Sequence, residues 1–144
     1  MAEKDDMIRM LNDDLTGEIE AILVYMEAHF LMEDKHCPTS LAMLEIAMDE
    51  MRHVQWLAEE IAEMDADPEL TPRKLRFAGR DLEAALERAV GLETGAIAQY
   101  EAHIAAISDA GVRRMLAHIR DEEEDHHKQF VGLLAKVREA AADR

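Results

Sequence analysis

The stretch Arg120–His127 reads RDEEEDHH. Five acids in a row usually mark the solvated face of a helix. This run, however, lies between GVRRMLAHI (111–119) and KQFVGLLAKV (128–137), both apolar at helical spacing. The frame set by Val112, Leu116, Ile119, Phe130, Leu133 and Val137 advances by alternate steps of three and four, and it passes through Glu123 and His126. Asp121, Glu122, Glu124 and Asp125 fall off that frame and are expected in water, and His127, one step off, is the alternative to His126. A glutamate and a histidine three residues apart share one helix face. Here that face is the one the apolar residues bury.

The same stepping applies elsewhere because the chain reads as helix throughout: Ala, Leu, Met, Glu and Ile dominate, with 6 glycines and 3 prolines. Turn residues at DKHCPTS (34–40), DADPELTPRKLRFAGRD (65–81) and SDAG (108–111) divide it into four helices, expected over about 5–33, 40–64, 81–107 and 112–141. Two short turns and one broken segment predict two antiparallel hairpins joined by a long crossover, an all-α four-helix bundle forming a single domain over 1–144. A crossover of roughly 15 residues spans about 50 Å when extended, enough to return along a helix of about 40 Å.

Each predicted seam is interrupted at mid-height. The first is Leu11, Leu15, Glu18, Ile22, Tyr25, His29, and the second is Met43, Ile46, Glu50, His53, Leu57, Ile61. The third runs Leu82, Leu86, Ala89, Glu93, Ile97, Tyr100, Ile104, Ile107. Every seam carries a glutamate, and the second and fourth carry Glu-x-x-His. Four buried carboxylates without counter-charge are prohibitive, since each charge removed from water costs several kcal/mol. Two divalent cations balance them, and two neutral imidazoles complete an oxygen and nitrogen donor set that suits iron or manganese. The candidate metal ligands are therefore Glu18, Glu50, His53, Glu93, Glu123 and His126.

The order also reads as an internal duplication: 32 residues separate Glu18 from Glu50 and 30 separate Glu93 from Glu123. The two tyrosines, Tyr25 and Tyr100, each stand seven residues after a lone glutamate. That is too far for a bond within one helix, so each is expected to reach a glutamate on a neighbouring helix and orient it. His29 and His103 lie about 15 Å along their helices from the interruptions and are not expected to join them. Trp56 is expected as a partly buried anchor, Cys37 as a small side chain at a turn, and Glu20, Glu45 and Glu101 in water.

The net charge of −16, from 32 acids and 16 bases, repels phosphate backbones and anionic membranes. The single cysteine excludes an intrachain disulfide and a four-cysteine metal site. The N-terminal MAEKDDMIRM has no signal-peptide character, and no apolar run reaches the ~18 residues that span a membrane. A cytoplasmic protein is expected.

This pattern resembles the ferritin-like superfamily of diiron carboxylate proteins over nearly the whole chain. LTGEIEAILVY (15–25), DEMRH (49–53) and RDEEEDH (120–126) are similar to the ligand segments of the bacterioferritin family in particular. The resemblance implies that Glu18 and His53 bind one iron and Glu93 and His126 the other, with Glu50 and Glu123 bridging. It implies a site that takes two Fe(II) and reacts with dioxygen or hydrogen peroxide. Met51 matches the methionine that ligates a haem shared between bacterioferritin subunits. With 10 methionines in the chain, packing in the core or an interface is its expected role, and haem is not expected. Ala96 stands where rubrerythrin-like relatives carry an additional glutamate, and no cysteine-rich electron-transfer segment is present, so electrons for turnover are expected from a separate donor. Only the 18 residues 127–144 follow His126, too few for the fifth helix that closes a bacterioferritin cage. A ferroxidase or peroxidase forming a homodimer or larger homo-oligomer is therefore expected ahead of an iron-storage cage or a di-manganese catalase-like enzyme.

Overall fold

The computed structural model describes residues 3–143. Four helices account for most of them: α1 (Lys4–Leu31), α2 (Pro38–Glu63), α3 (Leu82–Ala106) and α4 (Ala110–Ala142). The fold is an all-α four-helix bundle, with α1–α2 and α3–α4 as hairpins. The hairpins meet through α1 on α3 and α2 on α4, so α1 lies diagonal to α4 and α2 to α3 among the described residues.

The helix ends follow from the punctuation. Pro38 opens α2, where its missing N–H is no loss, and the Cys37 sulfur accepts from the Ser40 amide at 3.5 Å. Asp81 and Asp109 cap α3 and α4 by accepting from the amides of Glu83 and Val112. Asp65 takes the left-handed position after α2 (φ 59°), and the amides of Asp65 and Ala66 close the helix on the carbonyls of Ala62 and Ile61. At the first turn the Ser40 hydroxyl lies 2.8 Å from His29 Nδ1, which pins α1 to α2.

The core has two apolar halves. One gathers Val24, Tyr25, Met43, Ile46, Leu86 and Phe130; the other gathers Leu11, Leu15, Leu57, Ile61, Leu116 and Ile119. Between them lies the polar layer that the seams predict. The seams are half-buried rather than buried at His29, Leu82, Ile97, Ile104 and Val137, and near the end of α4 Leu134 is buried where Leu133 is only half-buried. A straight helix drifts from a strict 3.5-residue repeat, and towards the end of α4 the buried stripe has moved on by one residue. The crossover, residues 64–81, runs back along α1, held by the Glu69 amide on Asn12 Oδ1 (2.8 Å) and by Arg73 on the Asp13 carbonyl (2.6 Å).

Candidate metal centre

Glu18 from α1, Glu50 and His53 from α2, Glu93 from α3, and Glu123 and His126 from α4 meet in the polar layer, all buried. They form two groups of four. Glu18, Glu50, His53 and Glu123 make one, and Glu50, Glu93, Glu123 and His126 the other, with the donor atoms of each within 4.8 Å of one another. Glu50 and Glu123 belong to both. His127 belongs to neither.

Whether these residues fit a metal is tested by their unmet bonding. Among the described residues, the fully buried side-chain nitrogens and oxygens without a hydrogen-bond partner are Glu18 Oε2, Glu50 Oε1, His53 Nδ1, Glu93 Oε2, Glu123 Oε1 and His126 Nδ1. Each of the six residues contributes one such atom and no other residue does. A buried polar atom left unpaired costs about 1–3 kcal/mol, so six converging on one place need a common partner. The spacing agrees. His53 Nδ1 stands 3.3 Å from an oxygen of each of Glu18, Glu50 and Glu123, and His126 Nδ1 stands 3.2–3.5 Å from oxygens of Glu50, Glu93 and Glu123. Donor atoms about 2.1 Å from a shared cation lie about 3.0–3.4 Å apart in octahedral or tetrahedral shells. The fit holds for two cations.

The electrostatics carry the same demand for positive charge. Burial pushes the carboxyls of Glu18, Glu50 and Glu93 above their ordinary range, and neighbouring carboxylates push them further. Burial opposes charge on His53, but the Glu18 carboxylate and the surrounding acceptors outweigh it and raise the imidazole well above its ordinary value. At His126 burial is likewise overcome by Glu123, Glu50 and Glu93. The two imidazoles in turn hold Glu123 well below the usual carboxylate range, against its burial. Protons here stand in for the charge that two divalent cations bring.

A Ferritin-like domain description matches residues 8–140. The chain belongs to the ferritin-like family. A bacterioferritin of Desulfovibrio desulfuricans is 28% identical over 127 residues, covering 85% of this chain and 71% of that protein. The solved structure of the Desulfovibrio desulfuricans bacterioferritin, described with its diiron site in different catalytic states, superposes with a TM-score of 0.89 at 26% identity, covering 94% of this chain and 82% of that one. This ferritin-like chain is thus a homologue of a diiron bacterioferritin, with the carboxylate cluster that goes with it.

Both tyrosines cross between helices. Tyr25 donates to Glu93 Oε1 at 2.9 Å and Tyr100 to Glu18 Oε1 at 2.5 Å. Burial and the adjacent carboxylates raise both phenols well above their ordinary value, so they remain donors. Trp56 is partly buried, its ring 5.7 Å from that of His53. Met51 is 53% exposed on α2, which corrects any reading of it as a core residue.

Three acids behave otherwise than the seams imply. Glu122 is half-buried rather than solvated and lies 3.2 Å from His53 Nε2. Its second oxygen lies 2.7 Å from His118. Asp49, which stepping by threes and fours passes over, lies 2.8 Å from His126 Nε2. Both immediately precede a seam glutamate, and both reach the histidine of the opposite helix; that shared position was the available signal. Glu20 is also buried rather than in water, because Arg88 of α3 pairs with it at 2.9 Å. Glu45 and Glu101 are exposed as expected.

Proposed function

We propose that this ferritin-like chain is a cytoplasmic non-haem diiron oxidoreductase, a ferroxidase or peroxidase acting in iron and oxidant handling. Glu18 and His53 would hold one iron and Glu93 and His126 the other, with Glu50 and Glu123, which belong to both groups of donors, shared by the two. The observation that carries this reading is the set of six unpartnered buried atoms, one on each of these residues. When bound, the iron pair supplies the redox chemistry that couples Fe(II) oxidation to reduction of dioxygen or hydrogen peroxide.

The rest is the work of the chain. Glu122 and Asp49 accept hydrogen bonds from Nε2–H of His53 and His126, which leaves each Nδ1 lone pair facing inward. Tyr100 and Tyr25 each bond the oxygen of Glu18 and of Glu93 that stands 3.3 Å from His53 Nδ1 and 3.5 Å from His126 Nδ1, and so fix each carboxylate while its other oxygen stays buried and unpartnered. The apolar layers above and below exclude bulk water, which strengthens every charge interaction within the site. Manganese suits the same donors.

Similarity to bacterioferritin supports a second reading with equal weight: a protein that deposits ferric iron as a store. Anaerobic loading with excess Fe(II), then air oxidation and desalting, separates the two. About two irons per chain, with Fe(II) oxidation or peroxide consumption, supports the enzyme. Tens to hundreds per chain supports storage, and no bound metal removes both.

A further inference from the structure

A cavity of about 260 Å³ opens between α1 and α3 and reaches Glu18, Glu50, Glu93 and Glu123. Its walls explain a peculiarity of the sequence. Gly17, Gly91 and Gly95 all stand inside helices, where glycine weakens the helix, and all three line this cleft. A Cβ on Gly91 or Gly95 would meet nothing within 4 Å, so neither glycine is needed for helix packing. The unpartnered oxygens of two of the glutamates that line the cleft, Glu18 Oε2 and Glu93 Oε2, are fully buried and belong to the centre at its floor. Arg73 of the crossover lies across the mouth: its guanidinium donates to the Asp13 carbonyl on α1 (2.6 Å) and to Gln99 Oε1 on α3 (2.8 Å). The guanidinium carbon sits 3.2 Å from where a Gly17 Cβ would be.

We propose that this cleft is the passage through which the small neutral oxidant reaches the metal centre, and that Arg73 is the gate that closes it to cations. The inference rests on the diiron reading above. A cation approaching here meets the Arg73 guanidinium, bonded to both flanking helices, before it meets the acids of the centre; the other acids that line the cleft are already engaged, Glu20 by Arg88 and Asp14 by Gln99 and His103. An uncharged molecule the size of dioxygen or peroxide meets no such barrier, and the missing side chains at 91 and 95 leave it room. Metal ions therefore enter elsewhere, and oxidant and metal use separate routes.

Gly95→Leu fills the cleft on a helix it should also strengthen, so loss of folding is not expected, and a melting curve checks that. Wild type binding two Co(II) per chain tests the diiron reading by itself; if it fails, the fault lies there and not in the passage. Given that binding, three results are expected of Gly95→Leu. It loses a xenon atom seen in the wild-type cleft when crystals are pressurised, it slows dioxygen reaction of the Fe(II)-loaded centre by tenfold or more, and it leaves the rate of Co(II) uptake by the apoprotein unchanged. Arg73→Glu should raise that uptake rate several-fold. Unaltered xenon binding and unaltered oxidation in a folded Gly95→Leu protein would overturn the passage. Slowing of Co(II) uptake to match oxidation, or no change in uptake in Arg73→Glu, would overturn the selectivity.

Discussion

Helices α2 and α4 each bring Glu-x-x-His to the centre, whereas α1 and α3 each bring a lone glutamate with a tyrosine across from it. The outer sides of the two pairs differ accordingly. Behind the histidines lies a charged cover in which Asp49 and Glu122 take the outer nitrogens and Arg52 stands 2.8 Å from one acid and 3.7 Å from the other. Behind the lone glutamates lies an open cleft walled by glycine. The contrast is a division of labour: one side holds the buried histidines at fixed orientation, and the other leaves space beside the lone glutamates. A symmetric repeat of sequence has produced two unlike faces because only α2 and α4 carry an acid immediately before the seam glutamate, Asp49 and Glu122, where α1 and α3 carry Gly17 and Leu92.

The largest effect should come from the residues shared by both groups of donors. Glu50→Ala or Glu123→Ala removes an oxygen from two cation positions at once, and Co(II) titration should show loss of both sites. Glu18→Ala or Glu93→Ala touches one group only and should leave one site. If the single-group variants also lose both metals, the two positions are filled cooperatively and the comparison of sides has to be made on the pair.

Removing the metals should make stability depend on pH in a direction that follows from the shifts. Glu18, Glu50 and Glu93 have folded values above their ordinary 4.5, and His53 and His126 above 6.5. Groups of this kind stabilise the fold fully below their unfolded values and lose that contribution as pH rises. Glu123, held low, acts oppositely, but its contribution is lost only below about pH 4.5 and stays constant above it. The apoprotein should therefore melt at least about 5 °C lower at pH 8 than at pH 5. Metal affinity should run the other way, because cations compete with those same protons. A flat apoprotein profile would mean that water enters the cleft and screens the cluster.

The helices and the convergence of six buried glutamates and histidines were legible because burial imposes a period on the sequence, and a charged residue on an apolar seam stands out against it. Asp49 and Glu122 were not legible for the same reason. They lie beside the seam, and within RDEEEDHH the half-buried acids, Glu122 and Glu124, look like their neighbours. Glu20 was hidden because its partner Arg88 lies on another helix, 68 residues away. The strap of Arg73 over Gly17 depends on the path of a segment with no period to read.

The outer acids should matter less than the donors. Glu122→Gln or Asp49→Asn keeps the shape but weakens the hold on Nε2–H, and each should lower metal affinity about 10–100-fold at its own histidine. Glu124→Ala, whose nearest cation is Arg120 at 3.9 Å, should be nearly silent. An equal loss from Glu124→Ala would shift the inward face of α4 by one residue and undo the account of that helix.

Among the residues that touch the cluster, the smallest effect belongs to the tyrosines on the open side. Tyr25→Phe preserves the ring packed 5.2 Å from Phe130 and deletes only the hydroxyl that holds Glu93 Oε1. Tyr100→Phe does the same for Glu18. A hydrogen bond to a carboxylate that a cation already neutralises is worth about 1 kcal/mol, so each variant should still bind two metals, one of them about fivefold more weakly. The position affected is the test. Tyr25→Phe should weaken the site of Glu93 and His126, and Tyr100→Phe that of Glu18 and His53, because each phenol reaches across to the other helix. Weakening of both sites by either variant would show that the hydroxyls hold the α1–α3 packing rather than single carboxylates. In that case the open face would owe its shape to them as much as to its glycines.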